Sequence, residues 1–319
     1  MDGARGGGAP KETMILTDTV PKYQTMPGYA SPLGPHVLLI GDWLTDNWIH
    51  VEQRGTTTDS TPGVTQAPHW RIRFMRSYAG GAGNVHANLK ALGVRADYVA
   101  PGTRPTRYRY VDDMGVQLAR VDGPTDSTEP VKIEALEQLV SIRRPQGVVI
   151  ADYAKGAMTP EVIAWARGLG VPMWVDTKRS PMEYVGVAPV ALTFFPNQRE
   201  WDQWKEDYQG CGYPIVRKMG GAGVDYIYRD AFYRFEATNP YPVSTCGAGD
   251  VVMAAWVAGA LAPRSDAHRG VFPIGQRVME LVGRAVGRPY TNLLVPEDLG
   301  RLVSPSDSEE SRWAGEGGR

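Results

Sequence analysis

Short, predominantly apolar runs recur along the middle of the chain and predict buried strands, since a strand covered on both faces has no polar side. These runs occupy residues 36–40, 147–150, 173–175, 190–195 and 214–216. Segments with helical spacing lie between them, at residues 83–92 before Gly93 and from Thr159 to Gly168 or Gly170. This alternation predicts an α/β fold in which helices cover both faces of a parallel sheet.

One stretch follows a different period. In residues 69–74 the apolar side chains alternate with Arg71 and Arg73, so one face of this strand is buried and the other faces water. We therefore expect a small, two-sided β element within residues 48–76 that stands off the main sheet.

Polar residues follow the predicted strands closely. They are Asp42, Asp152, Asp176, Asn197 and Lys218. Because ligands of open parallel sheets bind beyond the carboxyl ends of the strands, we expect these side chains to converge on one edge of the sheet.

A glycine-rich turn at residues 244–250, Ser-Thr-Cys-Gly-Ala-Gly-Asp, runs directly into an apolar segment at residues 251–261. A turn of this kind points several backbone N–H groups at one spot, and the helix dipole adds positive potential there, so it predicts an anion site. Asp250 lies inside that site. A carboxylate beside bound phosphate suits one task, taking the proton from an attacking hydroxyl, so the turn predicts phosphoryl transfer to an alcohol.

Composition narrows the class of protein. The 319 residues have a formal net charge of -1, so we expect no basic surface for nucleic acid. Two cysteines are too few for a disulfide framework or a zinc site, which suits the cytoplasm. No apolar run is long enough to span a membrane. The composition of the ends predicts flexible tails at residues 1–35 and 304–319 around one domain at residues 36–303.

Several segments, taken in order, resemble the ribokinase-like (PfkB) carbohydrate kinases. They are Gly41-Asp42 with Asp46, Gly80-Gly81-Ala82-Gly83-Asn84, Asn197-x-x-Glu200 and Gly247-Ala248-Gly249-Asp250. Residues 152–156 (Asp-Tyr-Ala-Lys-Gly), 105–109 and 117–122 look like the branch of that family that phosphorylates the anomeric hydroxyl of a heptose 7-phosphate. The resemblance spans residues 37–261. It implies a three-layer α/β/α sandwich with a small β-sheet lid, and ATP-dependent transfer of the γ-phosphate to a sugar or sugar-phosphate hydroxyl.

The resemblance also implies roles for the matching residues. Asp250 would act as the base, and the backbone N–H groups of Ala248, Gly249 and Asp250, after Gly247, would hold the developing charge. Asn197 and Glu200 would position Mg²⁺, directly or through water. The residues near ATP would be Arg217, Lys218, Gly220 and Cys246. The sugar would lie near Asp42, Asp46, Gly80, Gly81 and Asn84, under a lid at residues 43–79 that often pairs between the subunits of a homodimer.

A second group of residues is expected at the acceptor. The guanidinium groups of Arg107, Arg109 and Arg120 match the fork geometry that suits a second, non-transferred phosphate. Asp152 and Lys155 are further candidates for contact with the sugar.

Plainer interpretations of these residues remain open. The arginines can form a solvated strand face, and Asp152 and Lys155 can form a salt-bridged loop. Asn197 and Glu200 can simply cap the next helix.

The chain departs from the family pattern in three places. Ser244 stands where most members have Asp, and residues 101–106 are short where the family has an additional helix and strand. The helix between Asn197 and Val216 is also short. The stretch after Arg277 lacks the Asn- and Ala-rich helix that the family has near adenine, so residues 283–290 are expected to cover the base.

Three alternatives compete with a sugar kinase. A nucleoside or ribose kinase of the same fold would need no clamp for a second phosphate. A catalytically silent sugar- or nucleotide-binding protein would bind without turnover. A dinucleotide-dependent oxidoreductase is disfavoured, because the glycine cluster at residues 80–84 lacks an acidic residue at the required distance.

Overall fold

A computed structural model describes residues 34–56, 68–100, 102–125, 127–186, 190–262 and 270–299. Within these ranges the chain forms two β-sheets and eight α-helices. The predicted tails lie outside the described residues, apart from residues 34 and 35. None of the helices in the described ranges combines the length and the apolar character needed to cross a bilayer.

Eight strands form the larger sheet. They are β1 (His36–Gly41), β4 (Arg95–Tyr98), β7 (Val148–Asp152), β8 (Met173–Thr177), β9 (Leu192–Phe194), β10 (Ile215–Lys218), β11 (Val224–Tyr228) and β12 (Ala231–Phe235). Their spatial order is β12-β11-β10-β9-β8-β7-β1-β4. Neighbours run parallel except in the pairs β10–β11 and β11–β12. The five apolar runs therefore lie in adjacent central strands, as predicted.

Helices cover both faces of this sheet. They are α1 (Ala82–Ala91), α2 (Ile133–Ile142), α3 (Pro160–Gly168), α4 (Gln198–Gln203), α5 (Lys205–Gly210), α6 (Ala248–Leu261), α7 (Val271–Ala285) and α8 (Pro296–Leu299). Alternate strand residues point to opposite sides: Leu39 and Val149 belong to the core under α1, α6 and α7, whereas Leu38 and Ile150 belong to the core under α2 to α5. Two separate apolar cores give the predicted three-layer α/β/α sandwich.

Local signals explain where the helices begin and end. The Thr159 hydroxyl accepts a hydrogen bond from the Val162 N–H at 3.3 Å, and Pro160 opens helix α3. Helix α6 is apolar on every side, and each of its residues from Asp250 to Val257 is buried. It is therefore a central helix that fixes whatever stands at its first turn.

Four strands form the smaller sheet, which we call the lid. They are β2 (Trp43–Thr56), β3 (Pro68–Gly81), β5 (Thr106–Val111) and β6 (Gln117–Asp122), in the order β3-β2-β5-β6. The lid therefore extends beyond residues 43–79 and includes all three arginines of the expected clamp. The β2–β5 and β5–β6 registers set Arg107 beside Asp46 and Arg109 beside Arg120, so these side chains share one face.

Candidate active site

A cavity of about 930 Å³ lies between the lid, the carboxyl ends of the central strands and the first turn of α6. Asp152, Asp176, Asn197 and Lys218 line it, so four of the five strand-end residues meet there as predicted. The fifth, Asp42, does not line the cavity.

The glycine-rich turn forms one wall of the cavity. Gly247 adopts a left-handed conformation with φ 80°, and a Cβ there would lie 2.5 Å from Asn84 Nδ2, so only glycine fits. The N–H groups of Ala248 and Asp250 donate to Thr245 and Gly247 carbonyls at 3.2 and 3.0 Å. Among the described residues no acceptor takes up the Gly249 N–H, which leaves it available to a ligand.

Asp250 is buried, and both of its carboxylate oxygens are held. Asn84 Nδ2 donates to Oδ2 at 2.8 Å, and the Tyr153 hydroxyl donates to Oδ1 at 2.7 Å. Burial raises the pKa of Asp250 to about 6, although these two hydrogen bonds act in the opposite direction. A carboxylate with a pKa near 6 is ionised at pH 7 and is basic enough to accept a proton. Asn84 itself does not line the cavity but holds the residue that does.

Lys218 places a positive charge beside the turn. A Cβ on Gly249 would lie 3.4 Å from Lys218 Nζ, and this ammonium group forms an ion pair with Asp176. Burial alone would lower the pKa of Lys218, but Asp176 and Glu200 outweigh it and raise that pKa. The cavity therefore contains a permanent cation next to an open backbone N–H, an arrangement that suits phosphate.

Asn197 and Glu200 form a reciprocal capping box at the start of α4. Asn197 Oδ1 accepts from the Glu200 N–H, and Glu200 Oε2 accepts from the Asn197 N–H, both at 2.9 Å. Both residues also line the cavity, and burial followed by repulsion from Asp176 raises the pKa of Glu200. The capping interpretation therefore holds, and within the described residues the second oxygen of Glu200 has no partner.

The remaining residues expected near a nucleotide separate into two groups. Gly220 and Cys246 line the cavity, and burial raises the pKa of the Cys246 thiol to about 11. Arg217 does not line it: its guanidinium pairs with the buried Asp225 and stands 5.0 Å from the Trp201 ring. Arg217 and Lys218 are consecutive in β10, so their side chains point to opposite faces and only one can reach the site.

Part of the cavity wall is apolar, and we call this part the apolar slot. Its wall includes Val224, Ala237, Met279, Val282 and Val286. Four residues of the stretch expected to cover a base also line the cavity: Gly283, Val286, Pro289 and Tyr290. A flat ring of a nucleotide base fits such a slot.

The lid contributes the opposite, more polar end. Asp46 is buried and accepts from Arg109 Nε at 3.3 Å, while the Arg109 guanidinium stands 5.4 Å from the Trp48 ring. Arg107 lines the cavity 5.8 Å above the Tyr153 ring, and no carboxylate in the described ranges pairs with it. Arg107 is thus the arginine of the three that faces the cavity with its charge unpaired.

The other members of the expected clamp are placed differently. Arg120 is exposed and is held by Asp122 through two hydrogen bonds of 2.8 and 2.9 Å, and it does not line the cavity. Lys155 does not line the cavity either, but Lys178 does, with its Nζ 5.1 Å above the Tyr153 ring. Burial followed by repulsion from Arg107 lowers the pKa of Lys178, which indicates that the two cations lie close together.

Asp42 braces the loop that follows β7. Its fully buried carboxylate accepts four hydrogen bonds, from the Thr128 hydroxyl at 2.7 Å and from the N–H groups of Tyr153, Lys155 and Ala157 at 2.8, 3.1 and 3.0 Å. All of its acceptor capacity is used within the protein. Asp42 therefore shapes the site from behind.

Asp152 and the glycine pair have structural partners as well. Asp152 accepts from the hydroxyls of Thr177 and Tyr184 at 3.0 and 2.7 Å, and it also lines the cavity. A Cβ on Gly80 would lie 2.6 Å from Asp46 Oδ2, and Gly81, at φ 58°, would place one 2.4 Å from the Asp42 carbonyl oxygen. Only Gly81 of this pair lines the cavity.

Sequence reasoning gave no role to Tyr153 or Lys178. Tyr153 lies within the motif at residues 152–156, but a tyrosine after a strand carries no signal for contact with a residue 97 positions away. Ala154, with φ 54°, adds a sign that only the structure reveals: a left-handed backbone at a residue other than glycine costs free energy and marks a constrained loop.

Solved structures share this fold. Ribokinase from Thermotoga maritima matches with a TM-score of 0.57 and 15% identity, covering 83% of this chain and 98% of that one. Phosphofructokinase-2 from Escherichia coli, in complex with substrates and products, matches with a TM-score of 0.60 and 15% identity, covering 83% and 96%. These likenesses confirm the predicted ribokinase-like fold.

Curated relatives carry the name bifunctional protein HldE. The protein from Alcanivorax borkumensis is 29% identical over 197 residues, which cover 52% of this chain and 40% of that protein. The protein from Sodalis glossinidius is 26% identical over 318 residues, which cover 84% of this chain and 62% of that protein. The chain thus spans about half the length of these relatives. No protein-family model matches it. The resemblance inferred from the motifs is confirmed by these similarities.

Proposed function

We propose that the chain is an ATP-dependent kinase that phosphorylates a hydroxyl group of a sugar or sugar phosphate. One observation carries this proposal: a buried carboxylate with a pKa raised to about 6 stands at the first turn of α6, beside Lys218 and the open Gly249 N–H. This arrangement supplies a base for the acceptor hydroxyl and a cationic, hydrogen-bonding site for the group it attacks.

The residues around the turn fit ATP. The apolar slot by α7 would hold the base, and Lys218 and the Gly249 N–H would hold phosphate oxygens. When bound, ATP supplies the phosphoryl group and Mg²⁺ offsets the charge of its phosphates.

Asn197 and Glu200, which line the cavity together with Lys218, fit Mg²⁺. Protein carboxylates that hold Mg²⁺ in nucleotide sites are few, because phosphates and water complete its shell. Glu200 has one oxygen without a partner among the described residues, so it would hold Mg²⁺ directly or through water, with Asn197 fixing its orientation.

The acceptor proposed is a sugar with an anionic group, with the anomeric hydroxyl of a heptose 7-phosphate as the first candidate. Arg107 and Lys178 support this choice, because both cations line the cavity and stand 5.8 and 5.1 Å from the Tyr153 ring. The names of the curated relatives agree with it. A nucleoside or ribose kinase would have no use for these two cations.

The test is ADP release from ATP and Mg²⁺ with a panel of sugars, sugar phosphates and nucleosides. The wild type should release ADP with one class of acceptor, and Asp250→Asn should reduce kcat by about 10³-fold because it removes the base. Asp202→Asn, an exposed carboxylate on α4, is the matched control and should leave the rate unchanged. Binding of nucleotide without release for any acceptor would favour a silent binding protein.

We also propose that the lid pairs two copies of the chain. Ile72 and Val121 are about half exposed, at 53% and 49%, on the face of the lid that points away from the cavity. Ile72→Lys should convert a dimer to a monomer in light scattering. Ile142→Lys, at a residue of α2 that is 79% exposed, should not. A wild type that is monomeric at all concentrations would contradict the pairing.

A cytoplasmic location completes the proposal. Cys211 and Cys246 are both free thiols, as expected in a reducing compartment.

A further inference from the structure

Tyr153 is the residue of the cavity that touches the base most directly. Its hydroxyl donates to Asp250 Oδ1 at 2.7 Å, and its ring lies beneath Arg107 and Lys178. Asn84 donates to the other oxygen at 2.8 Å. The carboxylate of Asp250 is therefore held between two fixed donors, one from α1 and one from the loop after β7.

The loop that carries Tyr153 is constrained from behind. The Tyr153 N–H donates to Asp42 Oδ2, and the next residue, Ala154, has φ 54°. A Cβ on Gly156 would lie 2.7 Å from the Thr128 carbonyl oxygen, so the chain cannot easily take another path there. A strained backbone persists only where its surroundings determine it. Here the surroundings fix the backbone position of Tyr153.

We propose that Tyr153 is a positioning residue for phosphoryl transfer: its hydroxyl, together with Asn84, holds the Asp250 carboxylate in one orientation towards the acceptor hydroxyl. This inference rests on the proposed kinase function. Each carboxylate oxygen has two acceptor positions, so the two donors leave a position for the acceptor's proton. Removing one donor frees the Asp250 side chain to rotate.

The hydroxyl of Tyr153 keeps its proton and donates a hydrogen bond to Asp250. Burial, followed by repulsion from Asp250 and Asp176, keeps the pKa of Tyr153 well above its usual value, so the proton stays on the tyrosine. Hydrogen bonds to the ionised form stabilise it, so the loss of this one should raise the pKa of Asp250. The other groups that act on Asp250 are Asn84 from α1, Asp176 from β8 and Lys218 from β10, and a tyrosine substitution leaves them in place.

The experiment compares the wild type, Tyr153→Phe and Tyr184→Phe. Tyr184 is the matched control, because its hydroxyl also donates to a buried carboxylate, Asp152, at 2.7 Å. The carboxyl carbon of Asp250 is titrated by NMR in protein labelled with ¹³C-aspartate, with Asp250→Asn identifying the resonance. Acceptor-dependent ADP release is measured against pH in parallel.

Tyr153→Phe should move the Asp250 titration and the acid limb of kcat to higher pH, and lower kcat about 10-fold to 100-fold at the optimum with little change in the KM for ATP. Tyr184→Phe should move neither the titration of Asp250 nor the acid limb of kcat. An active wild type with an unchanged titration and kcat in Tyr153→Phe would overturn the positioning role alone. No ADP release from the wild type with any acceptor would overturn the proposed function, and the positioning role with it.

Discussion

The floor and the roof of the cavity differ in how their charged side chains are buried and paired. The floor consists of the ends of the central strands and the first turn of α6, where Asp42, Asp152 and Asp250 are buried and each accepts at least two hydrogen bonds. The roof is the lid, where Asp46 pairs with Arg109 inside the cavity, Arg120 pairs with Asp122 in water, and Arg107 has no carboxylate partner within the described ranges. The proposed base is thus held rigidly, while the lid groups proposed to meet the acceptor are held less tightly. In the proposed kinase the floor would govern the chemistry, and the roof would govern which acceptor is used.

The largest effect on stability is expected from a substitution in the floor, and a much smaller one from a substitution in the lid. Asp42→Asn replaces an acceptor of four hydrogen bonds with a group that has one accepting oxygen, so buried N–H groups lose their partners. The free energy of unfolding should fall by about 3 kcal/mol in chemical denaturation. Asp122→Asn in the lid breaks an exposed ion pair with Arg120 and should cost less than about 1 kcal/mol. Equal losses from both would contradict the distinction.

The next prediction concerns the roof alone. Arg107→Ala should raise the KM for a phosphorylated acceptor by at least about 10-fold, because a charge-assisted hydrogen bond contributes about 1.5 to 3 kcal/mol. The KM for ATP should stay the same, since Arg107 stands at the lid end of the cavity. Arg120→Ala, whose guanidinium is already paired with Asp122, is the control and should change the KM much less. A larger effect from Arg120→Ala would support the three-arginine phosphate clamp expected from the sequence.

The pH dependence tests the floor. Asp250 accepts a proton only when it is ionised, so kcat should fall as the pH drops below the pKa of about 6. The decline should approach about tenfold per pH unit at lower pH, because the ionised fraction falls by that factor. An acid limb near pH 4, the usual range of an exposed aspartate, would mean that the burial of Asp250 does not persist in the working enzyme.

The smallest effect is expected at a residue that does not line the cavity. The hydroxyl of Tyr208 in α5 is buried and has no hydrogen-bond partner among the described residues. Tyr208→Phe removes this group and should raise the free energy of unfolding by up to about 1 kcal/mol. That corresponds to an increase of up to about 2 °C in Tm, measurable by calorimetry. A decrease in Tm would indicate that the hydroxyl is satisfied by water.

The sequence predicted the sheet well because each central strand is apolar on both faces, a pattern that needs no distant information. It also located the glycine turn and the meeting of strand ends. Strand alternation, applied to Arg217 and Lys218, would have shown that only one of them can reach the site. The role of Asp42 could not be predicted, because its partners lie 86 to 115 positions away, on loops without a regular pattern. The role of Tyr153 could not be predicted for the same reason, because its partner Asp250 lies 97 positions away.

Helix α6 sets how this protein should lose activity on heating. Because eight consecutive residues, Asp250 to Val257, are buried, the helix has no wet face from which to fray, and its amides should exchange with deuterium only through global unfolding. The proposed base, Asp250, therefore stands on a helix that we expect to unfold only with the whole protein. Catalysis and cooperative structure should therefore vanish at the same temperature, so that an activity assay also reports the fraction of folded molecules.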